Sequence, residues 1–443
     1  MTLKGPINMK KTLLSLLLAA LLLLCACGPA PTEAGDTSGA VTAAPGETLH
    51  ETETQPEAAD TEEEQPVTTA EPTPTPEPTP TPEPTPEPEV RRISFLAAGD
   101  NVIHACIYQE AKLRAEAGGR EYNFKPIYDN IADLIENADI AFINQETLMG
   151  GPQLGISSWP RFNSPQDLGY DLQELGFDII NIANNHMCDK GEEGLRGTIE
   201  FLSSLDGVTL LGGHLTKEDF MNIRVVEKEG VKIAFLSYTY GTNGHTLPES
   251  SPLYVPYIDK GLIKTQLEMA KELADLTFVS IHWGQENVFT PNKTQKELAQ
   301  FIAENGADAI IGHHSHTIQP IEWIEGEDGH RTLCIYSLGN LISAMEYGYN
   351  MLGGLLTFDI VKEEGKAPYL DAPLFIPTAF YYADDKFSTK LYLLEDYSQE
   401  FSLTHGSRNY GGVASRETME GYLHDVMAPE FLPAYFGGTG PSR

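Results

Sequence analysis

The chain has 443 residues, five cysteines and a formal net charge of −35. Residues 91–443 alone carry −23 by count, which excludes ordinary nucleic-acid binding, since that needs a basic footprint. Beyond residue 27 the cysteines number three, Cys106, Cys188 and Cys334; an odd count argues against a disulfide framework and leaves open one bridge plus a free thiol.

Residues 1–27 read as a targeting segment. Lys10 and Lys11 precede an apolar stretch over 13–24, and Leu24-Cys25-Ala26-Cys27-Gly28 closes it with small residues. The stretch is shorter than the about 20 apolar residues a transmembrane helix needs. Leu-x-Ala-Cys looks like a bacterial lipobox, with cleavage before Cys27 and a lipid on its sulfur. Cys25 fits less well, because Leu24 stands where a small residue is required. An ordinary signal peptide with incidental cysteines is the alternative. Residues 28–90 contain no Lys or Arg, fifteen Asp or Glu, and a Thr-Pro/Glu-Pro repeat from Pro72 to Pro88. Such a composition cannot offset its ordering entropy by apolar burial, and its proline repeat favours polyproline II at about 3.1 Å per residue. This is the expectation for an acidic tether.

From residue 91 the pattern is strand–helix alternation. Residues 93–98 form an apolar strand candidate ending at Gly99-Asp100, and 138–143 another ending at Asn144-Gln145-Glu146. Ser164 as N-cap and Pro165 at the first helical position predict a helix over 165–175, stopped by Gly176. A strand over 177–183 runs into Asn184-Asn185-His186. After a turn at Glu229-Gly230, residues 231–238 read as the second strand of a hairpin. Residues 276–281 end at His282-Trp283-Gly284. Thr290-Pro291 opens a helix closing at Gly306. Residues 307–311 then run into Gly312-His313-His314-Ser315-His316, and 332–336 into Ser337-Leu338-Gly339-Asn340. In the tail, 370–382 suggest further strands, and 415–427 a helix capped by Ser415.

Apolar strands that end in Asp, Glu, Asn or His place those side chains at one edge of a sheet, where open α/β sheets bind ligands. Each motif alone has an ordinary explanation: Gly-Asp is a turn, Asn-Asn-His a cap, His-Trp-Gly a core aromatic with a satisfied imidazole. Six at the same structural position favour a metal site. Two His at i and i+2 on extended backbone project to one side, and neutral imidazole is the commonest transition-metal ligand. The ligand candidates are Asp100, Glu146, Asn185, His282, His314 and His316, with His313 facing the other side of its strand. Oxygen and nitrogen donors suit one or two divalent ions of the Mn, Fe or Zn class. Two such ions, bridged by a carboxylate, could activate a water and clamp a phosphate or tetrahedral centre. His186, paired with Asp189, is the candidate general acid beside Asn185. His104, Asn144, Arg161, Glu286 and Asn340 are candidate substrate contacts.

Taken in order, Ala98-Gly99-Asp100, Asn144-x-Glu146, Ala183-Asn184-Asn185-His186 with Asp189 and Gly191, His282-Trp283-Gly284-x-Glu286, Gly312-x-His314-x-His316 and Ser337-Leu338-Gly339-Asn340 resemble the motif set of the CapA family, the capsule and poly-gamma-glutamate synthesis accessory proteins. Phe162-x-x-Pro165 also fits. The resemblance covers residues 94–360, and the family is similar to calcineurin-like metallophosphoesterases. It implies a four-layer α/β/β/α sandwich over 91–365, with 366–443 as a C-terminal extension packing on it. It also implies an extracytoplasmic, membrane-linked location and a carboxylate-rich polymer as substrate class. Ser315 stands where the family usually carries Pro, and Lys190 where an aromatic residue is common. The metallophosphoesterase Asp-x-His opening is absent, since Asn101-Val102 follow Asp100.

The function expected is a lipid-anchored, metal-dependent hydrolase or transferase acting on an anionic cell-surface polymer or its precursor. The alternative is a non-catalytic polymer-binding subunit of a membrane polymer-synthase complex. A domain of −23 repels a polyanion at long range unless ions and basic groups such as Arg161 and Lys190 offset it.

Overall fold

A computed structural model describes residues 89–441 apart from 118, 328 and 386. The targeting segment with Cys27 and most of the acidic tether therefore lie outside the described residues. Those described fall in one compact unit.

Fourteen strands are described: β1 (Val90–Asn101), β2 (Ile140–Gln145), β3 (Ile179–Asn181), β4 (Thr209–Leu211), β5 (Arg224–Lys228), β6 (Val231–Thr239), β7 (Leu276–His282), β8 (Ala309–His313), β9 (Ile318–Glu325), β10 (Arg331–Leu338), β11 (Asn340–Ile342), β12 (Leu352–Glu363), β13 (Tyr369–Tyr381) and β14 (Lys390–Leu393). They form an eight-stranded sheet, ordered β14-β13-β12-β1-β2-β3-β4 with β11 also on β1, and a six-stranded sheet, ordered β5-β6-β7-β8-β10-β9. β1 to β4 are parallel in the first sheet, and β6, β7, β8 and β10 in the second. Every residue of β2 and β7 is buried. This is why these strands read as near-continuous apolar runs rather than alternating ones.

The two sheets pack face to face. Phe95 of β1 lies 6.4 Å from Phe235 of β6 and 5.2 Å from Phe278 of β7, ring centre to ring centre. The outer face of the six-stranded sheet is covered by helices Lys260–Leu273 and Lys293–Glu304, whose Ile263, Leu267, Leu298 and Ile302 bury Val279, Ile281 and Ile310. Leu168 and Leu172 of helix Asp167–Glu174, with Leu195 and Ile199 of helix Gly191–Leu202, join the core of the other sheet. The layers are therefore helix, sheet, sheet, helix. Strand parity settles direction: along β7, Phe278 faces the other sheet and Val279 the helices, so His282 emerges between the sheets.

Local details differ from the sequence reading. Ser164 does not cap a helix: its hydroxyl pairs with Thr147 Oγ1 at 2.7 Å, and the helix starts at Asp167 after an uncapped Gln166. The helix expected to open at Thr290-Pro291 begins at Lys293, capped by Asn292 in a capping box with Gln295. The strand before Asn184 is shorter than expected, three residues at β3. Ser415 does cap helix Arg416–Val426, accepting from Thr418 N. β13 and β14 continue the eight-stranded sheet beyond β12, which is where residues after 366 go. Cys106, Cys188 and Cys334 are all buried, and among the described residues none of them forms a disulfide.

Candidate metal centre

The carboxyl ends of β1, β2, β3, β7 and β8 meet in the crevice between the sheets. Asp100, near the end of β1, is fully buried and held from three directions. Asn144 Nδ2 donates to its Oδ1 at 2.8 Å, the backbone N–H of His314 donates to Oδ2 at 3.2 Å, and His316 Nδ1 lies 3.3 Å from Oδ2. Glu146, one residue past β2, is as buried, yet neither of its oxygens accepts a hydrogen bond. Around it stand His316 Nε2 at 3.6 Å and His282 Nε2 at 3.9 Å. His282 Nε2 also meets Asn185 Oδ1 at 2.9 Å.

The backbone at the His cluster is not extended. β8 ends at His313, and His314 and His316 take φ of +95° and +54°. The i, i+2 rule therefore does not account for their common side. A turn held in left-handed conformations does so, at a cost of about 1–3 kcal/mol per residue that functional sites commonly carry. The His314 ring sits 4.8 Å from His282 and 6.0 Å from His316. His313 does not face away: its Nδ1 lies 3.5 Å from Asp100 Oδ1, and its ring stacks on Phe142.

Among the described residues, two groups of side chains have donor atoms within 4.8 Å of one another, Asp100–Glu146–His316 and Glu286–His314–His316. His316 belongs to both. His282 adjoins the first group through Glu146, and Asn185 adjoins His282. Glu286, read from the sequence as a substrate contact, is exposed and stands in the second group.

The electrostatics are those of a site built for positive charge. Burial would raise the Asp100 carboxyl, but the imidazoles of His313 and His316 outweigh it and hold it well below the usual range. Burial pushes Glu146 well up despite the His316 cation, with Asp100 and Glu286 adding to the rise. Burial alone would lower His316; Glu146 and Asp100 prevail and hold it at about 10. Burial keeps His282 well below its ordinary value and His314 at about 3, so both are neutral, the form that binds metals. Buried carboxylates and imidazoles without partners are costly unless something of opposite character joins them. The orphaned Glu146 oxygens and His314 Nδ1, with His282 Nε2 beside them, fit a divalent ion with O and N ligands. The proton on His316 stands where such an ion would replace it.

Beside this centre, His186 Nδ1 meets Asp189 Oδ2 at 2.8 Å. Asp189 Oδ2 also accepts from Phe162 N at 2.7 Å, and the Phe162 ring packs edge-on against His186 at 4.8 Å. Arg161 is exposed, its Nε donating to the Asp189 carbonyl at 2.6 Å. His104 stands at the N-cap position of helix Ala105–Leu113 without a side-chain capping bond; its ring lies 5.5 Å from that of Phe162, and its Nδ1 accepts from Ala344 N. Asn144 and Asn340 are buried and turned toward the ligand candidates. Asn144 bridges Asp100 and Asn181, and Asn340 Oδ1 meets His316 Nδ1 at 2.9 Å. They orient side chains at the centre and do not face solvent.

Two residues escaped the sequence reading. Tyr240, just past β6, is 45% exposed; its ring lies 4.5 Å from His314 and nearly parallel to His282 at 6.4 Å. Burial, then Glu286 and Glu146, push its hydroxyl up to about 12, so it remains a donor at neutral pH. Asn243 accepts from Asn185 Nδ2. The signal available was positional, since β6 is parallel to β7 and ends at the same edge.

A two-sheet α/β sandwich with a candidate di-metal centre at its parallel strand ends is the class that fold and site define. Residues 94–345 match the family model described as bacterial capsule synthesis protein PGA_cap, and the chain belongs to that family. It is 33% identical over 172 residues to the PGA biosynthesis protein CapA of Bacillus subtilis (strain 168), spanning 39% of this chain and 44% of that protein. It is 32% identical over 176 residues to the capsule biosynthesis protein CapA of Bacillus anthracis, spanning 39% of this chain and 41% of that one. The match thus spans less than half the length of these curated relatives. Among solved structures, the NAD nucleotidase of Haemophilus influenzae aligns at TM-score 0.42 and 12% identity, covering 79% of this chain and 59% of that one. A 5'-nucleotidase precursor from Thermus thermophilus aligns at 0.40 and 12%, covering 76% and 58%.

Proposed function

We propose that this chain is a metal-dependent hydrolase or transferase of capsule or poly-gamma-glutamate metabolism, acting outside the cell on an anionic surface polymer or its precursor. The supporting observation is Glu146: a buried carboxylate with no hydrogen bond, faced by His282 and His316, is a ligand set and not a packing motif. Divalent ions, when bound, supply Lewis-acid polarisation and stabilise developing negative charge.

The chain's own groups do the rest. Asp100, Glu146, Asn185, His282, His314, His316 and Glu286 would hold the ions. His186, fixed through Nδ1 by Asp189, presents Nε2 for proton transfer to a leaving group. Arg161 and Tyr240 line the mouth, one with positive charge and one with a neutral donor. Bound ions also answer the charge problem, since they offset the acidic domain where an anionic substrate arrives. Lipid attachment at Cys27, which lies outside the described residues, completes the reading. A Cys27→Ser variant is expected to lose palmitate labelling and membrane retention.

The function is tested with phosphodiester and gamma-glutamyl peptide substrates, with and without chelator, in wild type and His314→Ala. Ion-dependent turnover that the variant loses supports the reading. No turnover, no bound ion and unchanged polymer output in the variant would overturn the enzyme reading.

A further inference from the structure

An amide side chain can ligate a hard cation only through its oxygen, and the oxygen faces the ion only if the NH2 has an acceptor elsewhere. At Asn185 the oxygen meets His282 Nε2 at 2.9 Å, beside Glu146. The NH2 donates to Asn243 Oδ1 at 3.2 Å. We propose that Asn243 is a positioning residue for the metal centre, fixing the Asn185 amide with its oxygen toward the ions. The inference rests on Asn185 as a ligand.

Asn243 comes from a different sheet's loop than Asn185. It sits in the turn Thr242-Asn243-Gly244-His245, where φ is +51° at Asn243 and +75° at Gly244, and His245 N donates to Thr242 O at 2.8 Å. Positive φ at both central positions defines a type I′ turn, for which Asn-Gly is a preferred pair. The turn alone therefore explains an Asn or a Gly at 243. It does not explain where the side-chain oxygen points.

The turn is anchored independently of that oxygen. Thr242 Oγ1 meets Tyr257 OH at 3.0 Å, and Tyr257 bridges Thr239 at the end of β6. Asn243 itself is exposed. Replacing its side chain thus leaves the core and the loop's tethers in place, and the Asn185 amide is what changes. Without that acceptor the amide keeps its contact with His282 Nε2 but loses the partner that holds its NH2 away from the ions.

This separates backbone from side chain experimentally. Asn243→Gly keeps the turn and removes the acceptor; Asn243→Asp keeps both the turn and an acceptor oxygen. The test is Mn2+ and Zn2+ affinity by titration calorimetry, with thermal unfolding of the chelated protein as the control for folding. Asn243→Gly is expected to bind about 10–100-fold more weakly with an unchanged unfolding midpoint, and Asn243→Asp to bind as wild type. The double variant with Asn185→Ala is expected to bind no worse than Asn185→Ala alone, because both remove one interaction. Wild-type affinity in Asn243→Gly, with Asn185→Ala impaired, overturns the inference and spares the ligand. An unimpaired Asn185→Ala overturns both.

Discussion

His316 Nε2 lies 3.6 Å from Glu146 Oε1, and neither oxygen of that carboxylate accepts a hydrogen bond. A protonated imidazole beside an unpartnered buried carboxylate is an arrangement the fold tolerates for a ligand's sake. It follows that the charge at position 146 destabilises the ion-free protein. Glu146→Gln is expected to raise the unfolding free energy of the chelated protein by about 1–3 kcal/mol, since burying an unsatisfied charged group costs at least that much. Ion affinity should fall by about 100-fold or more, as a ligand outweighs the residues that orient it. Denaturant unfolding in chelator, beside calorimetric titration, measures both. A loss of stability in the variant contradicts the account.

His186 touches Asp189 and Phe162 but shares no donor group with Asp100, Glu146 and His316. Under the proposed function its role is proton transfer and not ion binding. His186→Gln is expected to lower kcat by about 10²–10⁴ while ion content stays at the wild-type value. Elemental analysis of the purified variant checks the second half, and a variant that loses its ions would make His186 a ligand.

Acid stability has a separate source. Burial, with Arg224 nearby, lowers His214 to about 4, and burial lowers His405 to about 4 against the Phe380 carbonyl. Unfolded, both titrate near 6.5, so below that pH the unfolded chain takes up protons that the fold refuses. Their contribution is complete above about pH 6.5 and is lost as pH falls toward 4, at most about 3 kcal/mol each. Unfolding free energies at pH 7 and pH 4.5 are expected to differ less in the double variant His214→Gln/His405→Gln than in wild type. An equal difference removes these two groups from the account.

The boundary expected at residue 365 is also open to test. β13 pairs with β12 from Tyr369 to Ala379, and Leu374, Phe375 and Phe380 are buried in the main core. Arg114 and Glu110 reach across to the backbone of Thr389. A chain ended at 365 exposes the whole edge of β12 and is expected to be insoluble, whereas 89–441 is expected to fold. A soluble, cooperatively unfolding 89–365 fragment would support the boundary.

The strand ends were legible because apolar runs with a polar terminus are local features: 93–98 into Asp100, 276–281 into His282, 307–311 into the His cluster. The layer order came from the resemblance of the motif set and not from that alternation. What distant segments do to each other was not legible. Nothing near Ser164 announces Thr147 as its partner, so its cap was misassigned. The parallel pairing of Asp100 with Asn340 turns an expected substrate contact into a support for His316. The left-handed turns at His314 and His316 left no trace in residue type. Tyr240 and Asn243 were missed because β6 ends in Thr-Tyr-Gly, which carries no ligand signature, and only its place beside β7 brings them to the centre.

The most direct measurement is equilibrium binding of Mn2+ and Zn2+ to the chelated protein and to His316→Ala, because His316 is common to both ligand groups. The account predicts saturable binding of one or two ions by wild type and loss of all specific binding in the variant. Absence of binding by wild type, or unchanged stoichiometry and affinity in His316→Ala, would contradict it.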